Sequence, residues 1–138
     1  MNIYIAAPLA EAYAAREWAS CLRDYGFTVT STWHDVVEDG EPEPGAEHMR
    51  AEILTVNLRD LEAADVLFAV MRTGVPRATY AEIGWALRAE KRVVFLHGAR
   101  VVNTCLFDAH PLSYSTHSTT DALRWLQRLA SVAPEAAE

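Results

Sequence analysis

The chain has 138 residues, 51% hydrophobic and 22% charged, which suits one soluble globular domain and excludes a disordered or fibrous chain. Its formal net charge of −7 leaves no basic face for following a phosphate backbone, so no nucleic-acid polymer is expected as partner and a small ligand is favoured. No apolar run reaches bilayer length and MNIYIAAPLA lacks the basic stretch of a secretory signal, so a cytoplasmic protein without membrane contact is expected.

Ile3 to Ala7 is a short apolar run ended by Pro8, which predicts a buried first strand leading into a loop. Ala15, Trp18, Ala19 and Leu22 then fall at helical spacing between Glu11 and Tyr25, with Gly26 as a C-terminal cap. Cys21, on this helix, and Cys105 form no Cys-x-x-Cys pattern; both read as small buried hydrophobes, with neither a disulfide framework nor a metal site signalled.

Phe27 to Trp33 is β-branched and aromatic and predicts strand two, followed by the acidic, proline-containing stretch His34 to Gly45. A loop of that length is either disordered or a lid over a site. Ile53, Leu54, Leu58 and Leu61 give one apolar face to a helix over Ala46 to Ala64, and Val66 to Met71 is the third strand.

Arg72 to Ala78 is a loop, Thr79 to Glu90 a helix, and Val93 to Leu96 the fourth strand. Leu112 to Tyr114 is a short fifth strand, and Ser118 with Asp121 resembles a capping box for a last helix. Alternating strands and helices imply an α/β fold with a parallel sheet of about five strands covered on both faces, as one domain over residues 1–133 with a tail at 134–138. Ligands of such sheets sit beyond the carboxyl ends of the strands, which directs attention to the segments after Ala7, Trp33, Met71 and Leu96.

Glu82 follows Thr79 by three residues, the spacing of a capping box, and a first-turn carboxylate is also held as an anion by the helix dipole, a state that suits a nucleophile. Trp33 offers a flat face for a nucleobase or else packs in the core, whereas His34 and Asp35 are expected to begin a solvated loop. Arg72 and Arg77 flank the loop before Glu82, and such a pair could bind a phosphate.

The run ATYAEIGWALRAEKRVVFL resembles the Glu-[Ile/Leu/Phe]-Gly-x-Ala-Leu-x-x-x-Lys-x-Val segment of the nucleoside 2-deoxyribosyltransferase family. IYIAAPL resembles that family's first strand and loop, NLRDLEAADVLFAV its entry to strand three, and TSTWHD is similar to members of its phage and bacterial branches. The resemblance spans roughly residues 2 to 107 in consistent order. It implies a flavodoxin-like fold, N-glycosidic chemistry on a nucleoside or nucleotide, no metal or organic cofactor, and a homodimer or higher homo-oligomer.

By the same resemblance Glu82 is the nucleophile, Asp65 manages the proton of the leaving base, and Tyr4 helps place the nucleophile. Ala7, Trp33, Arg72, Gly74, Arg77 and Asn103 are the substrate-binding candidates, while Asp60 reads as a surface charge. Family transferases often carry an aspartate six residues before the nucleophile; here that position is Pro76, which counts against base exchange. Three activities are therefore weighed: sugar transfer between bases, hydrolysis of nucleoside 5′-monophosphates, and ligand binding without chemistry, with Glu82 only a helix cap.

Overall fold

Strand β1 (Asn2–Ala6) has the sequence NIYIA, and Ile3 through Ala6 are all buried. A strand covered on both faces reads as a continuous apolar run, the mark of a parallel sheet. In the computed structural model, which describes residues 1–36, 50–72, 77–98 and 106–132, β1 lies between β2 (Thr28–Val29) and β3 (Val66–Met71), with β4 (Arg92–His97) and β5 (Ser113–Thr116) beyond. The order is β2-β1-β3-β4-β5 and every pairing is parallel, a flavodoxin-like three-layer α/β arrangement.

The helices are α1 (Ala12–Asp24), α2 (Trp33–Val36), α3 (Arg50–Glu62), α4 (Arg77–Arg88) and α5 (Thr119–Val132). From β1 the chain moves one way to β2, then back across β1 to β3. Right-handed crossovers therefore place α1 and α3 on opposite faces of the sheet. Trp18 of α1 meets Phe68 edge-on at 4.9 Å, and Trp125 of α5 stacks on Tyr114 at 4.2 Å. Phe68, Val94 and Tyr114 are register partners, so α1 and α5 share one face. Tyr4, Leu67, Ala69 and Met71 alternate with that set and point to the other face.

Gly26 ends α1 at φ 89°, and the Phe27 N–H reaches the Leu22 carbonyl at 3.0 Å while the Gly26 N–H reaches that of Arg23 at 2.9 Å. This is the double-bonded cap expected of a glycine in the left-handed region. At α5, Ser118 Oγ accepts from the Asp121 N–H at 3.2 Å, as the capping pattern predicts.

Several expectations change. Strand two was expected to run from Phe27 to Trp33, yet the ladder holds only Thr28–Val29, and Trp33 opens the short helix α2. Side chains replace the ladder: Ser31 Oγ accepts from the Ile5 N–H at 3.1 Å, and Trp33 Nε1 donates to the Ile5 carbonyl at 2.7 Å. On α3 the expected apolar face is exposed at Ile53, Leu54 and Leu58, while Asp60, Leu61 and the following Ala64 are buried. Cys21 is partly exposed rather than buried. Strand β5 is Ser113–Thr116, one to two residues later than expected.

Among the described residues no helix is long and apolar enough to cross a membrane. Most of the acidic loop, together with Gly74, Pro76, Asn103, Cys105 and the tail, lies outside the described residues.

Candidate active site

Helix α4 follows the carboxyl end of β3 and runs back over the sheet. Its buried residues Thr79, Ile83, Ala86 and Leu87 define the inward face, and Glu82 falls within it at helical spacing from Thr79 and Ala86. Because α4 begins at Arg77, Thr79 is the helix's third residue and buried, with no hydrogen-bond partner for its hydroxyl among the described residues. The capping-box reading of Thr79 and Glu82 therefore fails, and so does the first-turn dipole argument. Glu82 sits in the second turn, turned toward the sheet.

What it meets there is Tyr4. The Tyr4 side chain is buried on the α4 side of β1, and its hydroxyl has no partner at strict hydrogen-bonding geometry among the described residues. It nevertheless lies close enough to the Glu82 carboxyl for each group to shift the other's ionisation. Burial pushes Glu82 up to about 7 from the ordinary 4.5, with the Tyr4 hydroxyl opposing the shift. Burial also raises Tyr4, reinforced by the negative charges of Glu82 and then of Asp60. Such a phenol stays protonated and can donate its hydrogen toward a carboxylate.

Asp60 was expected at the surface, but it is 7% exposed, takes a 2.7 Å hydrogen bond from Thr32 Oγ1 on Oδ2, and has Arg59 Nη2 3.5 Å from Oδ1. The signal was present in the spacing Asn57, Asp60, Leu61, Ala64, an i, i+3, i+4, i+7 set on one face. Reading Ile53, Leu54 and Leu58 as the inward face hid it, because two polar residues interrupt the true one.

Asp65 is not brought to Glu82. It is exposed at the amino end of β3, where its Oδ2 accepts from the Asn2 N–H at 2.8 Å and its own N–H donates to the Asn2 carbonyl at 2.8 Å. That is a strand-entry carboxylate satisfying the first N–H of β1. Trp33 is also corrected: it is 6% exposed and its indole is tied to Ile5, so it packs in the core rather than offering a free stacking face.

His34 is fully buried instead of solvated. Its Nε2 pairs with Ser31 Oγ at 2.9 Å, and its carbonyl accepts from Arg16 Nη1 at 2.8 Å. Nδ1 is 3.3 Å from Asp35 Oδ1 but outside hydrogen-bonding geometry. Burial lowers the His34 pKa, outweighing the pull of Asp35. A neutral ring accepting from Ser31 fits this environment.

Ala7 follows β1 and Arg72 follows β3, both at carboxyl ends of strands, and Arg72 is exposed. Arg77 is the first residue of α4. A second polar cluster, not singled out from the sequence, joins His97 at the end of β4 to Asp108 at 3.0 Å, and Asp108 to Ser115 of β5 at 2.8 Å. It fastens the short helical turn Leu106–Ala109 to the sheet. Among the described residues no group of three or more His, Cys, Asp or Glu could hold a metal.

The fold is shared with known structures. The chain superposes on the 2-deoxyribosyltransferase of Bacillus psychrosaccharolyticus with a TM-score of 0.70 at 22% identity, covering 88% of this chain and 89% of the other. It has the fold of that enzyme. The CMP N-glycosidase of Clostridium botulinum is similar over 94% of this chain and 99% of its own, with a TM-score of 0.63 at 16% identity. No protein-family model and no curated protein sequence matches the chain.

Proposed function

We propose that the protein cleaves the N-glycosidic bond of a nucleoside or nucleotide, with the Glu82 carboxylate as nucleophile. The observation that carries this is the Glu82–Tyr4 pair: a carboxyl held inward on α4, partly desolvated, beside a buried phenol that keeps its proton. The shared fold supports it, since one structural neighbour is a 2-deoxyribosyltransferase and another a CMP N-glycosidase.

The reaction runs in two displacements. A Glu82 oxygen bonds to C1′ as the C1′–N bond breaks, the electron pair leaves with the base, and the base takes the proton from Asp60, which enters this step as the carboxylic acid and leaves it as the carboxylate. A second base or a water then attacks C1′ from the opposite side, the C1′–O bond to Glu82 breaks, and Asp60 recovers the proton. Two inversions retain the configuration. We assign the proton-handling role to Asp60 and not to Asp65, because Asp60 is the buried carboxylate that acts on Tyr4.

Arg72, exposed just past β3, and Arg77 at the start of α4 favour a second reading in which a 5′-monophosphate is the substrate and water the acceptor. The exposed Ile53, Leu54 and Leu58 on α3 support the homo-oligomer that the sequence resemblance implies; sedimentation at several concentrations tests it.

Chromatography separates the activities. Deoxynucleosides and their 5′-monophosphates are incubated with and without adenine or cytosine as acceptor. New nucleosides appearing only with an acceptor establish transfer, and free base without one establishes hydrolysis. Unchanged substrates in every sample leave a binding domain.

A further inference from the structure

Asp60 is useful to the reaction only if its carboxyl is held in one orientation, and the structure provides a device for holding it. Thr32 lies between β2 and α2, and both its neighbours are clamped to β1: Ser31 Oγ takes the Ile5 N–H and Trp33 Nε1 donates to the Ile5 carbonyl. The Asp35 N–H donates to the Thr32 carbonyl at 3.1 Å, so the backbone at this residue is fixed from both sides. A β-branched side chain on such a backbone has little rotational freedom. Its hydroxyl donates to Asp60 Oδ2 at 2.7 Å, joining the segment after β2 to the end of α3.

The other partner is weaker. Arg59 approaches Oδ1 at 3.5 Å, but its side chain is 72% exposed, and exposed ion pairs contribute little fixed geometry. Thr32 is thus the well-held donor to a carboxylate that is itself buried.

We infer that Thr32 is a positioning residue: its hydroxyl sets the orientation in which the Asp60 carboxyl exchanges a proton with the base. This rests on the N-glycosidic reading above. A merely structural threonine would contribute stability, and its loss would lower turnover of any variant in proportion to unfolding. A positioning threonine acts through Asp60 and has no effect once Asp60 can no longer transfer the proton.

The test is a double-mutant cycle on the full chain with the best substrate from the chromatographic panel. Thr32→Val should lower kcat by about tenfold to a hundredfold with a smaller change in KM, the range expected for losing a hydrogen bond to a charged group. Thr32→Ser, which keeps the hydroxyl, should restore kcat to within about threefold of wild type. In an Asp60→Asn background Thr32→Val should cost nothing further, a coupling that independent sites do not give.

Melting curves accompany each variant, and Thr32→Ala takes the place of Thr32→Val if the latter does not fold. Thr32→Val turning over like wild type, or losing as much in the Asp60→Asn background as alone, overturns the inference while leaving the N-glycosidic reading intact. Absence of glycosidic cleavage by the wild type overturns both.

Discussion

The sheet's two faces are made by the same strands, one residue apart, and differ in chemistry. On the α1 and α5 face, Ile3, Ile5, Phe68 and Val94 are all buried to completion; Trp18 meets Phe68 there, and Tyr114 stacks on Trp125. Across the sheet, Tyr4 stands between Ile3 and Ile5 with two carboxylates, Asp60 and Glu82, acting on its hydroxyl. A buried carboxylate is costly and is kept where something beyond stability needs it. The difference teaches that β1 is at once the core of the fold and the floor of the proposed site, its role decided by residue parity.

Substitutions that separate the two faces sharpen this contrast. Glu82→Gln should fold and bind ligand yet lose about a thousandfold or more in turnover, measured by base release, because no other group replaces a covalent nucleophile. Phe68→Ala, across the sheet, should cost about 3–5 kcal/mol in denaturant unfolding and leave turnover per folded molecule intact. Comparable losses of specific activity in both would break the division of labour.

Two carboxylates on neighbouring elements offer a finer comparison. Asp60→Asn should lower kcat by about a hundredfold or more through the lost proton transfer. Asp65→Asn should spare kcat and cost about 1 kcal/mol of stability through the weakened bond to the Asn2 N–H. A reversed outcome returns the role to Asp65.

Much of the fold was legible because parallel strands are apolar on both faces and Gly26, Ser118 and Pro8 punctuate them. The segment from Thr30 to Trp33 was not, since Ser31 and Trp33 make strand-like bonds to Ile5 with side chains, and no β-pattern distinguishes that from a true ladder. Within the candidate site, the run around Glu82 and the tyrosine of β1 stood out, whereas Asp60 was masked by the more apolar stripe on the exposed side of α3. Asp65 attracted the role because a carboxylate before a strand looks alike whether it bonds a neighbouring strand's N–H or a substrate.

Proton linkage gives smaller effects. The Tyr4 hydroxyl holds the Glu82 pKa down against burial to about 7, so the acid limb of kcat/KM is predicted near that pH in wild type and should move to higher pH in Tyr4→Phe. An unmoved limb would separate the phenol from the nucleophile. For stability the sign is fixed by a folded pKa above the unfolded one. The contribution of protonated Glu82 is complete below about pH 4.5 and is lost as pH rises through about 7. Wild type should therefore lose stability relative to Glu82→Gln over that window, as measured by melting temperature against pH.

The most direct test of the nucleophile is to quench wild-type protein during turnover and weigh it intact, then locate any adduct by peptide mapping. A mass increase of one sugar residue on the peptide bearing Glu82, absent in Glu82→Gln, is the predicted result. Base release with no adduct on that peptide, or an adduct surviving in Glu82→Gln, would contradict it.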